Sequence, residues 1–298
     1  MRDSPTLNCR NWVRERTIPG IMSRRSLRGV LIGLVLATLA NAPAFSVRAE
    51  TVLITGANSG IGLEFTRQYA AKGWIVIATH RRSEIPQTLT EVMAEFPRVR
   101  VETLDVTNVA QAAALAEKLT DTPIDVLINN AGVYNDRSEC AADDGCAGNW
   151  TTQSFGNLDY GLLDTIMAVN IKGPLIVSEA FYENVKASAL KKIVAISSSN
   201  GTLTGERNVR PGAIFYRMSK AALNREMQIV AAAARGDGVT AVMFNPGPTL
   251  TEHQEYLRGN SIMLETSFTV ENMINTIDEV TIEDSGRFMR YDGVDEAW

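Results

Sequence analysis

From residue 51 onward, short apolar runs alternate with longer stretches in which apolar residues recur every three or four positions. The short runs predict strands, and the helical spacing predicts helices. Predicted strands cover 51–54, 74–79, 99–104, 124–128, 192–196, 239–244 and 288–289. Predicted helices cover 63–70, 86–96, 108–119, 158–186, 216–234 and 270–280. The fourth helix must bend or break at Gly173-Pro174, and Thr107 is the predicted N-cap of the third.

Strands that alternate with helices of about a dozen residues are typical of a parallel sheet covered on both faces. The pattern therefore predicts one α/β domain over residues 50–298, a doubly wound parallel sheet of the Rossmann type. In such a sheet, ligands bind beyond the carboxyl ends of the strands. Polar segments follow several predicted strand ends, and we expect them to gather on one rim of the sheet.

The first 49 residues differ in kind from the rest. A basic stretch at 23–28 precedes an apolar stretch at 29–40 and a small-residue exit that ends at Ala49. This is the order of a secretory signal, and the apolar stretch is short for a membrane span. Within the basic stretch, Ser23-Arg24-Arg25 resembles a twin-arginine signal. We predict a cleaved leader and export to the periplasm. A retained membrane anchor and a non-functional extension that leaves the protein cytoplasmic stay open, and Met22 is an alternative start.

Composition and charge narrow the class of partner. The chain is 45% apolar and 21% charged, as in ordinary globular proteins. Eight of the 29 basic residues and two of the 34 acidic ones precede residue 50, so loss of the leader changes the net charge from −5 to −11. An acidic protein is a poor match for nucleic acid. The charge therefore argues against a nucleic-acid partner and against an anionic membrane surface.

Two cysteines, Cys140 and Cys146, fall in a polar insert that covers residues 134–157. In an oxidising compartment they could close a small disulfide loop. Two free thiols are the alternative, and the sequence favours neither. The two histidines, His80 and His253, lie far apart in the sequence and away from both cysteines. The sequence therefore predicts no metal site.

The first strand and helix are joined by Thr55-Gly-Ala-Asn-Ser-Gly-Ile-Gly62, called the Gly-rich turn below. A turn of this kind points backbone N–H groups and the positive end of the helix dipole at one spot, which suits a pyrophosphate. Glycines allow the chain to turn and a ligand to approach the backbone. A tight strand-to-helix connection without a ligand is the alternative, because such motifs match loosely.

With its downstream motifs, the chain resembles the short-chain dehydrogenases/reductases over residues 51–298. The matching pieces are the Gly-rich turn, Leu104-Asp105-Val106, Asn129-Asn-Ala-Gly132, Asn170 in Val-Asn-Ile-Lys-Gly, Ile196-Ser-Ser198, Tyr216-Arg-Met-Ser-Lys220 and Asn245-Pro-Gly-Pro-Thr-Leu-Thr251. Each piece is weak alone, but together they follow the family order and spacing. The stretch 216–224 and the C-terminal tail look most like the C-factor and sniffer-type carbonyl reductases.

The predicted chemistry centres on Tyr216 as the proton donor to a carbonyl oxygen. A free phenol titrates near pKa 10. Lys220 lies one helical turn later on the same face, and its charge would lower the pKa of Tyr216. The resemblance implies that Ser198 binds the substrate oxygen and that Lys220 contacts the nicotinamide ribose. It also implies that Asn170 holds a water linking Lys220 to solvent. Gly201, three residues after Ser198, favours that serine over its neighbours.

The end of the second strand reads Thr79-His-Arg-Arg82 and has no acid for the ribose of NAD. Arg81 and Arg82 could bind a 2′-phosphate, which favours NADP(H) over NAD(H); solvent-facing turn residues are the alternative. The resemblance implies that Asp105 touches the adenine, Asn129 and Gly132 the adenosine ribose side, and Thr251 the carboxamide. The implied cofactor contacts are Gly56, Asn58, Ser59, Gly60, Ile61, Gly62, Arg81, Arg82, Asp105, Val106, Asn129, Ala131, Gly132, Tyr216, Lys220, Pro246, Gly247 and Thr251.

Two hypotheses follow. The first is an NAD(P)-dependent oxidoreductase that reduces a carbonyl or oxidises an alcohol, and the second is a non-catalytic nucleotide-binding sensor or partner protein on the same fold. The sequence leaves the oligomeric state open: the resemblance implies a dimer or tetramer through the helices near 158–186 and 216–234, or a monomer. The insert, the loop 204–212 and the segment 249–268 are expected to shape the substrate pocket. The loop lengthens the separation of Ser198 and Tyr216 to eighteen positions, against about a dozen in the family.

Overall fold

The computed structural model describes residues 48–135, 151–204 and 211–298. Its central sheet has seven parallel strands: β1 (Thr51–Ile54), β2 (Ile75–His80), β3 (Val99–Thr103), β4 (Val126–Asn129), β5 (Lys192–Ile196), β6 (Thr240–Asn245) and β7 (Phe288–Arg290). Their order across the sheet is β7-β6-β5-β4-β1-β2-β3. All seven predicted strands are present, and the single α/β domain is confirmed. The leader, both insert cysteines and residues 205–210 lie outside the described residues.

The helices cover both faces of this sheet. They are α1 (Gly60–Ala71), α2 (Gln87–Glu95), α3 (Val109–Lys118), α4 (Tyr160–Met167), α5 (Gly173–Ala180), α6 (Tyr182–Lys186), α7 (Ile214–Ala234) and α8 (Thr266–Glu279). One buried layer joins α1, α2 and α8 to the sheet, and the other joins α3, α5, α6 and α7. Central strands buried on both faces explain their nearly continuous apolar runs.

The predicted helix over 158–186 is interrupted, but the break begins before Gly173-Pro174. A π-helical turn at Ala168–Lys172 separates α4 from α5. Gly173 and Pro174 then form the first turn of α5, and Pro174 has no N–H to donate to the preceding turn. A π-helical turn inserts an extra residue into the helix and often marks a functional site. Here it carries Asn170.

The N-cap of α3 was predicted at Thr107, and this is wrong by one residue. The cap is Asn108, whose Oδ1 accepts a hydrogen bond from Gln111 N at 3.1 Å. The Thr107 hydroxyl donates instead to Asp105 Oδ1 at 2.7 Å. Asn and Thr are both good caps, so the choice was decided by the neighbouring acid, which engages the threonine.

Two short strand pairs stand beside the main sheet. Gln153–Ser154 pairs antiparallel with Asn157–Leu158 at the end of the insert. Thr249–Leu250, just after β6, pairs parallel with Leu264–Glu265. Between the last two strands runs a 3-10 helical segment, Glu252–Leu257. Both pairs lie in the parts of the chain that follow β4 and β6, where the sequence placed the ligand.

Candidate active site

The Gly-rich turn connects β1 to α1 and needs its glycines for different reasons. Gly56 and Gly60 have φ angles of +63° and +53°, a region that favours glycine. Gly62 has no room for a side chain, because a Cβ there would lie 2.3 Å from Gly56 O and 2.4 Å from Asn130 Nδ2. The turn therefore has one backbone shape that other residues would disturb.

Asn130 and Thr55 hold this turn, and the sequence reasoning did not single out either one. Asn130 Nδ2 donates to Thr55 O at 2.9 Å and to Gly56 O at 3.1 Å. The Thr55 hydroxyl accepts from the backbone N–H groups of Asn130 and Ala131, both at 3.0 Å. Asn129 was predicted as a ligand residue, but its amide donates to Ser178 Oγ at 3.0 Å on the α5 face. Consecutive residues of a strand point to opposite faces, and this alternation was the available signal.

A carboxylate of the protein itself lies at the N-terminus of α1. Both carboxylate oxygens of Glu252 are 3.0 Å from Gly60 N. This carboxylate stands in for a phosphate, since the N-terminal N–H groups and the helix dipole attract either group. The geometry of the Gly-rich turn therefore fits the pyrophosphate of a dinucleotide. Glu252 was not predicted from the sequence.

The residues predicted to contact the adenosine end of the cofactor lie at the ends of β2 and β3. Arg81 is exposed and Arg82 is half-buried just beyond β2, and Arg82 N donates to His80 Nδ1 at 3.2 Å. The backbone O of Asn58 accepts from Thr88 Oγ1 at 2.8 Å, which ties the Gly-rich turn to α2. Asp105 follows β3 and keeps its Oδ1 on Thr107. These residues form one rim with no acid at the end of β2.

On the other side of β1, α7 places Tyr216 and Lys220 one turn apart. Lys220 is 6% exposed and donates from Nζ to Ile196 O, at the end of β5, at 2.8 Å. The same Nζ lies 5.7 Å from the centroid of the Tyr216 ring. Burial lowers the pKa of Lys220 to about 8, because the ammonium form loses its hydration.

Burial acts on Tyr216 in the opposite direction and raises its pKa above 10. A hydrogen bond with the Ser198 side chain and the charge of Arg217 lower the pKa in part. The sequence predicted a net lowering by Lys220. The difference arises because desolvation of the phenolate outweighs the nearby charges. In the protein alone, Tyr216 is therefore a protonated donor at neutral pH.

Ser198 and its neighbours take different roles at the end of β5. The Ser198 hydroxyl accepts from Asn200 N at 3.2 Å, and Ser198 is the serine whose side chain lowers the pKa of Tyr216. The Ser197 hydroxyl donates to Asn224 Oδ1 at 2.5 Å inside the core. Gly201 lies against α7, where a Cβ would stand 2.6 Å from the Lys220 carbonyl carbon. The turn thus fixes Ser198 relative to α7.

Asn170 is buried in the π-helical turn and joins three elements. Its Nδ2 donates to Val133 O at 2.7 Å and to Ser219 Oγ at 2.9 Å, and its Oδ1 accepts from Val133 N at 2.8 Å. A Cβ on Gly132 would lie 3.5 Å from Asn170 Oδ1 and 3.9 Å from Lys220 Nζ. The amide therefore fixes the chain after β4 beside Lys220.

A cavity of about 630 Å³ opens beside these residues. It is lined by Ile61, Tyr134, Ser197, Ser198, Ser199, Asn200, Tyr216, Asn245, Pro246, Gly247, Pro248, Thr249, Thr251, Gln254, Ile262, Leu264, Arg290 and Tyr291. The Tyr134 ring meets Tyr216 edge-on, with centroids 6.4 Å apart. Gln153 joins them, because its Oε1 accepts from Tyr216 N and its Nε2 donates to Tyr134 O. Neither Tyr134 nor Gln153 was predicted.

Some of the predicted cofactor-contact residues and some of the predicted catalytic residues line this cavity. Ile61, Pro246, Gly247 and Thr251 are among those predicted to contact the cofactor, and Ser198 and Tyr216 are among those predicted to be catalytic. Lys220 and Asn170 lie behind them, and Val106 packs under Gly173. Within residues 48–135, 151–204 and 211–298, no group of three or more His, Cys, Asp or Glu side chains could hold a metal ion.

Comparison with known proteins agrees with this geometry. The family model for short-chain dehydrogenases matches residues 50–261. The C-signal protein of Myxococcus xanthus is 32% identical over 185 residues, 62% of this chain and 99% of that protein. The NADPH-bound carbonyl reductase from chicken fatty liver is 27% identical with a TM-score of 0.73, over 85% of this chain and 100% of that one.

The carbonyl reductase Sniffer of D. melanogaster shares the fold. It is 22% identical with a TM-score of 0.71, over 84% of this chain and 100% of that one. The family resemblance noted in the sequence is thus confirmed by a family model that spans most of the chain, and the similarity to carbonyl reductases is confirmed by the solved structures. This protein belongs to the short-chain dehydrogenase family.

Proposed function

We propose that this protein is an NADP(H)-dependent carbonyl reductase that acts on a small aldehyde, ketone or quinone. Family membership supports oxidoreduction with a nicotinamide cofactor. One observation carries the finer assignment. Ser198 and Tyr216 line one cavity together with Ile61 of the Gly-rich turn. A reacting carbonyl in that cavity would lie between its proton donor and the cofactor that the turn would hold.

The residues present fit a dinucleotide. The Gly-rich turn would hold the pyrophosphate at Gly60 N, where a carboxylate now lies. Arg81 and Arg82 would hold the 2′-phosphate, and Thr251 stands beside Gly60 near the expected nicotinamide end. The cofactor, when bound, supplies the hydride that reduces the carbonyl carbon.

The protein's own contribution is the proton. Tyr216 donates its phenolic proton to the carbonyl oxygen as the oxygen becomes an alkoxide. Ser198 donates a hydrogen bond to the same oxygen and orients it. Lys220, with a pKa of about 8, exists in both protonation states near neutral pH and stabilises the tyrosinate when protonated. A raised pKa keeps Tyr216 protonated in the protein alone, so its proton is available to the carbonyl oxygen.

The preference for NADP(H) rests on the rim beyond β2. Arg81 and Arg82 follow a strand end without an acid, so a 2′-phosphate meets positive charge and no repelling carboxylate there. The carbonyl reductase from chicken fatty liver, which is similar over the whole domain, binds NADPH. Both observations support the same cofactor.

The test is a fluorescence titration of the purified protein with NADPH and with NADH, followed by a reductase assay on a panel of aldehydes, ketones and quinones. We expect tighter binding of NADPH and turnover of at least one carbonyl class. The R81A/R82A double variant should lose affinity for NADPH but not for NADH. The matched control is R100A, which removes an exposed arginine from β3. Cofactor binding without turnover of any carbonyl would favour the non-catalytic sensor instead.

A further inference from the structure

The 3-10 helical segment that follows Thr251 links the Gly-rich turn to the cavity. Thr251 and Gln254 line the cavity. Between them, Glu252 reaches back to the first residue of α1. The Thr251 methyl group would lie 3.2 Å from a Cβ on Gly60. This segment therefore touches both the predicted pyrophosphate site and the predicted substrate site.

Glu252 contacts Gly60 in the way a bound anion contacts the N-terminus of a helix. Both carboxylate oxygens are 3.0 Å from Gly60 N, so the negative charge is centred on that N–H group. Gly60 begins a helix of 12 residues, whose N-terminal end attracts negative charge. The Glu252 side chain is 46% exposed, so water and ligands can exchange with it.

We propose that Glu252 is an internal competitor of the cofactor. In the cofactor-free protein, its carboxylate occupies the site that the pyrophosphate takes, and binding of the dinucleotide displaces it. This inference rests on the proposed function. Two anions cannot share one N–H group without strong repulsion, so the segment and the pyrophosphate exclude each other at Gly60.

A consequence follows for the cavity. While Glu252 stays on Gly60, it ties the segment to the Gly-rich turn and fixes the cavity wall formed by Thr251 and Gln254. Binding of the cofactor breaks the contact between Glu252 and Gly60 and releases the segment. The cofactor thus changes the substrate wall before the substrate arrives, and the fraction of molecules with Glu252 released sets the apparent affinity for the dinucleotide.

The experiment compares the full chain with the E252Q and E255Q variants. Glutamine keeps the size of residue 252 and removes its charge. E255Q is the matched control, because Glu255 lies in the same segment but pairs with Arg258 and does not touch Gly60. Each protein is titrated with NADPH and with adenosine 2′-monophosphate, which carries the 2′-phosphate but no pyrophosphate. The backbone amide resonance of Gly60 is recorded by NMR without ligand.

We expect E252Q to bind NADPH about two- to fivefold more tightly, the range given by a charge near a helix terminus. Adenosine 2′-monophosphate should bind E252Q and the unaltered protein equally, because it does not compete for Gly60. The Gly60 resonance should move in E252Q but not in E255Q. Equal or weaker NADPH binding by E252Q would overturn the proposal. If the unaltered protein bound no NADPH at all, the proposed function itself would fail.

Discussion

Tyr216 and Lys220 share one face of α7, and burial acts on them in opposite directions. It raises the pKa of the tyrosine and lowers that of the lysine to about 8. Both shifts favour the neutral forms, since a low-polarity site disfavours either charge. The pair therefore starts as a protonated phenol beside an amine that changes charge close to physiological pH.

The role of Tyr216 gives the first prediction. Y216F removes the proton donor and keeps the ring, so we expect carbonyl reduction to fall by about 10² to 10⁴, the usual contribution of general acid catalysis. NADPH binding should change little. The assay is steady-state NADPH oxidation with the best carbonyl from the panel. The control is Y182F, which removes a hydroxyl bonded to Asp237 at the surface, away from the cavity. Full activity in Y216F would contradict the proton-donor role.

Lys220 gives a prediction about stability and pH. Its pKa is about 8 when folded and near 10.5 when unfolded, so the folded state binds fewer protons between those values. The cost of burying the charge is present below pH 8 and is relieved as the pH rises. We therefore expect K220M to be inactive but more stable at pH 7, by about 1–2 kcal/mol.

This advantage of K220M should shrink between pH 8 and pH 10.5, as measured by urea unfolding of both proteins across that range. K186M removes a partly exposed lysine that pairs with Glu183, so it should change stability by less than about 0.5 kcal/mol at any pH. A stability difference between K220M and the unaltered protein that stays constant with pH would argue against a buried charge as its cause.

The predicted site residues differ in how far the sequence could place them. The family resemblance singled out Tyr216 and Lys220, and helical spacing placed them on one face, because i and i+4 lie one turn apart. Asn129 and Asn130 are adjacent, and only the strand's alternation separates the core amide from the one on the Gly-rich turn. Glu252 contacts Gly60 across 192 residues of sequence, a contact created by the tertiary fold and by no local pattern.

At the scale of elements, the site depends on how the turn after β5 packs against α7. Ser198 and Gly201 belong to this turn, and Gly201 lies on the α7 backbone at Lys220. The π-helical turn before α5 brings Asn170 against the same helix, where its Nδ2 donates to Ser219 Oγ. The sequence indicated a bend near Gly173-Pro174 but could not show a π turn, because no residue type requires one.

The packing of this turn gives a prediction for G201A. The added methyl group would lie 2.6 Å and 2.7 Å from the carbonyl carbon and oxygen of Lys220. The backbone of a helix cannot move away without breaking its hydrogen bonds, so we expect G201A to lose about 1–3 kcal/mol in stability. Displacement of Ser198 from Tyr216 should lower kcat/KM at least tenfold.

Thermal unfolding and the reductase assay measure both effects of G201A. The control is G236A, since a Cβ at Gly236 would meet nothing within 4 Å. That variant should match the unaltered protein in melting temperature and in activity. If G201A behaved like G236A, the close approach of the turn to α7 would not position Ser198.

At the scale of the whole molecule, the sheet brings together residues that are far apart in the sequence. The strand order places β4, β1 and β2 next to one another on one side and β5 and β6 on the other. The Gly-rich turn and Ser198 thus face one cavity although 136 positions separate Gly62 from Ser198. The alternating pattern predicted this rim because parallel strands end on the same edge. The cavity's depth and its outer wall depend on connections that the pattern does not specify.

The predicted cleavage of a leader gives the last prediction. Glu50 O accepts a hydrogen bond from Ile75 N at 2.9 Å, and β1 begins at Thr51 in the middle of the sheet. Cleavage after Ala49 would therefore leave every strand of the sheet intact. We expect a chain begun at Glu50 to fold, to bind NADPH and to reduce carbonyls as well as the longer chain does.

N-terminal sequencing of the protein recovered from its native cells should find Glu50 first, as export with cleavage requires. A native protein that keeps residues before Glu50 would instead point to the membrane anchor or the non-functional extension. The chain begun at Glu50 separates folding from targeting in the same experiment. A lower melting temperature for the chain begun at Glu50 than for the longer chain would mean that the leader stabilises the domain. Removal of the leader during export would then lower the stability of the domain, which the contacts within the sheet do not predict.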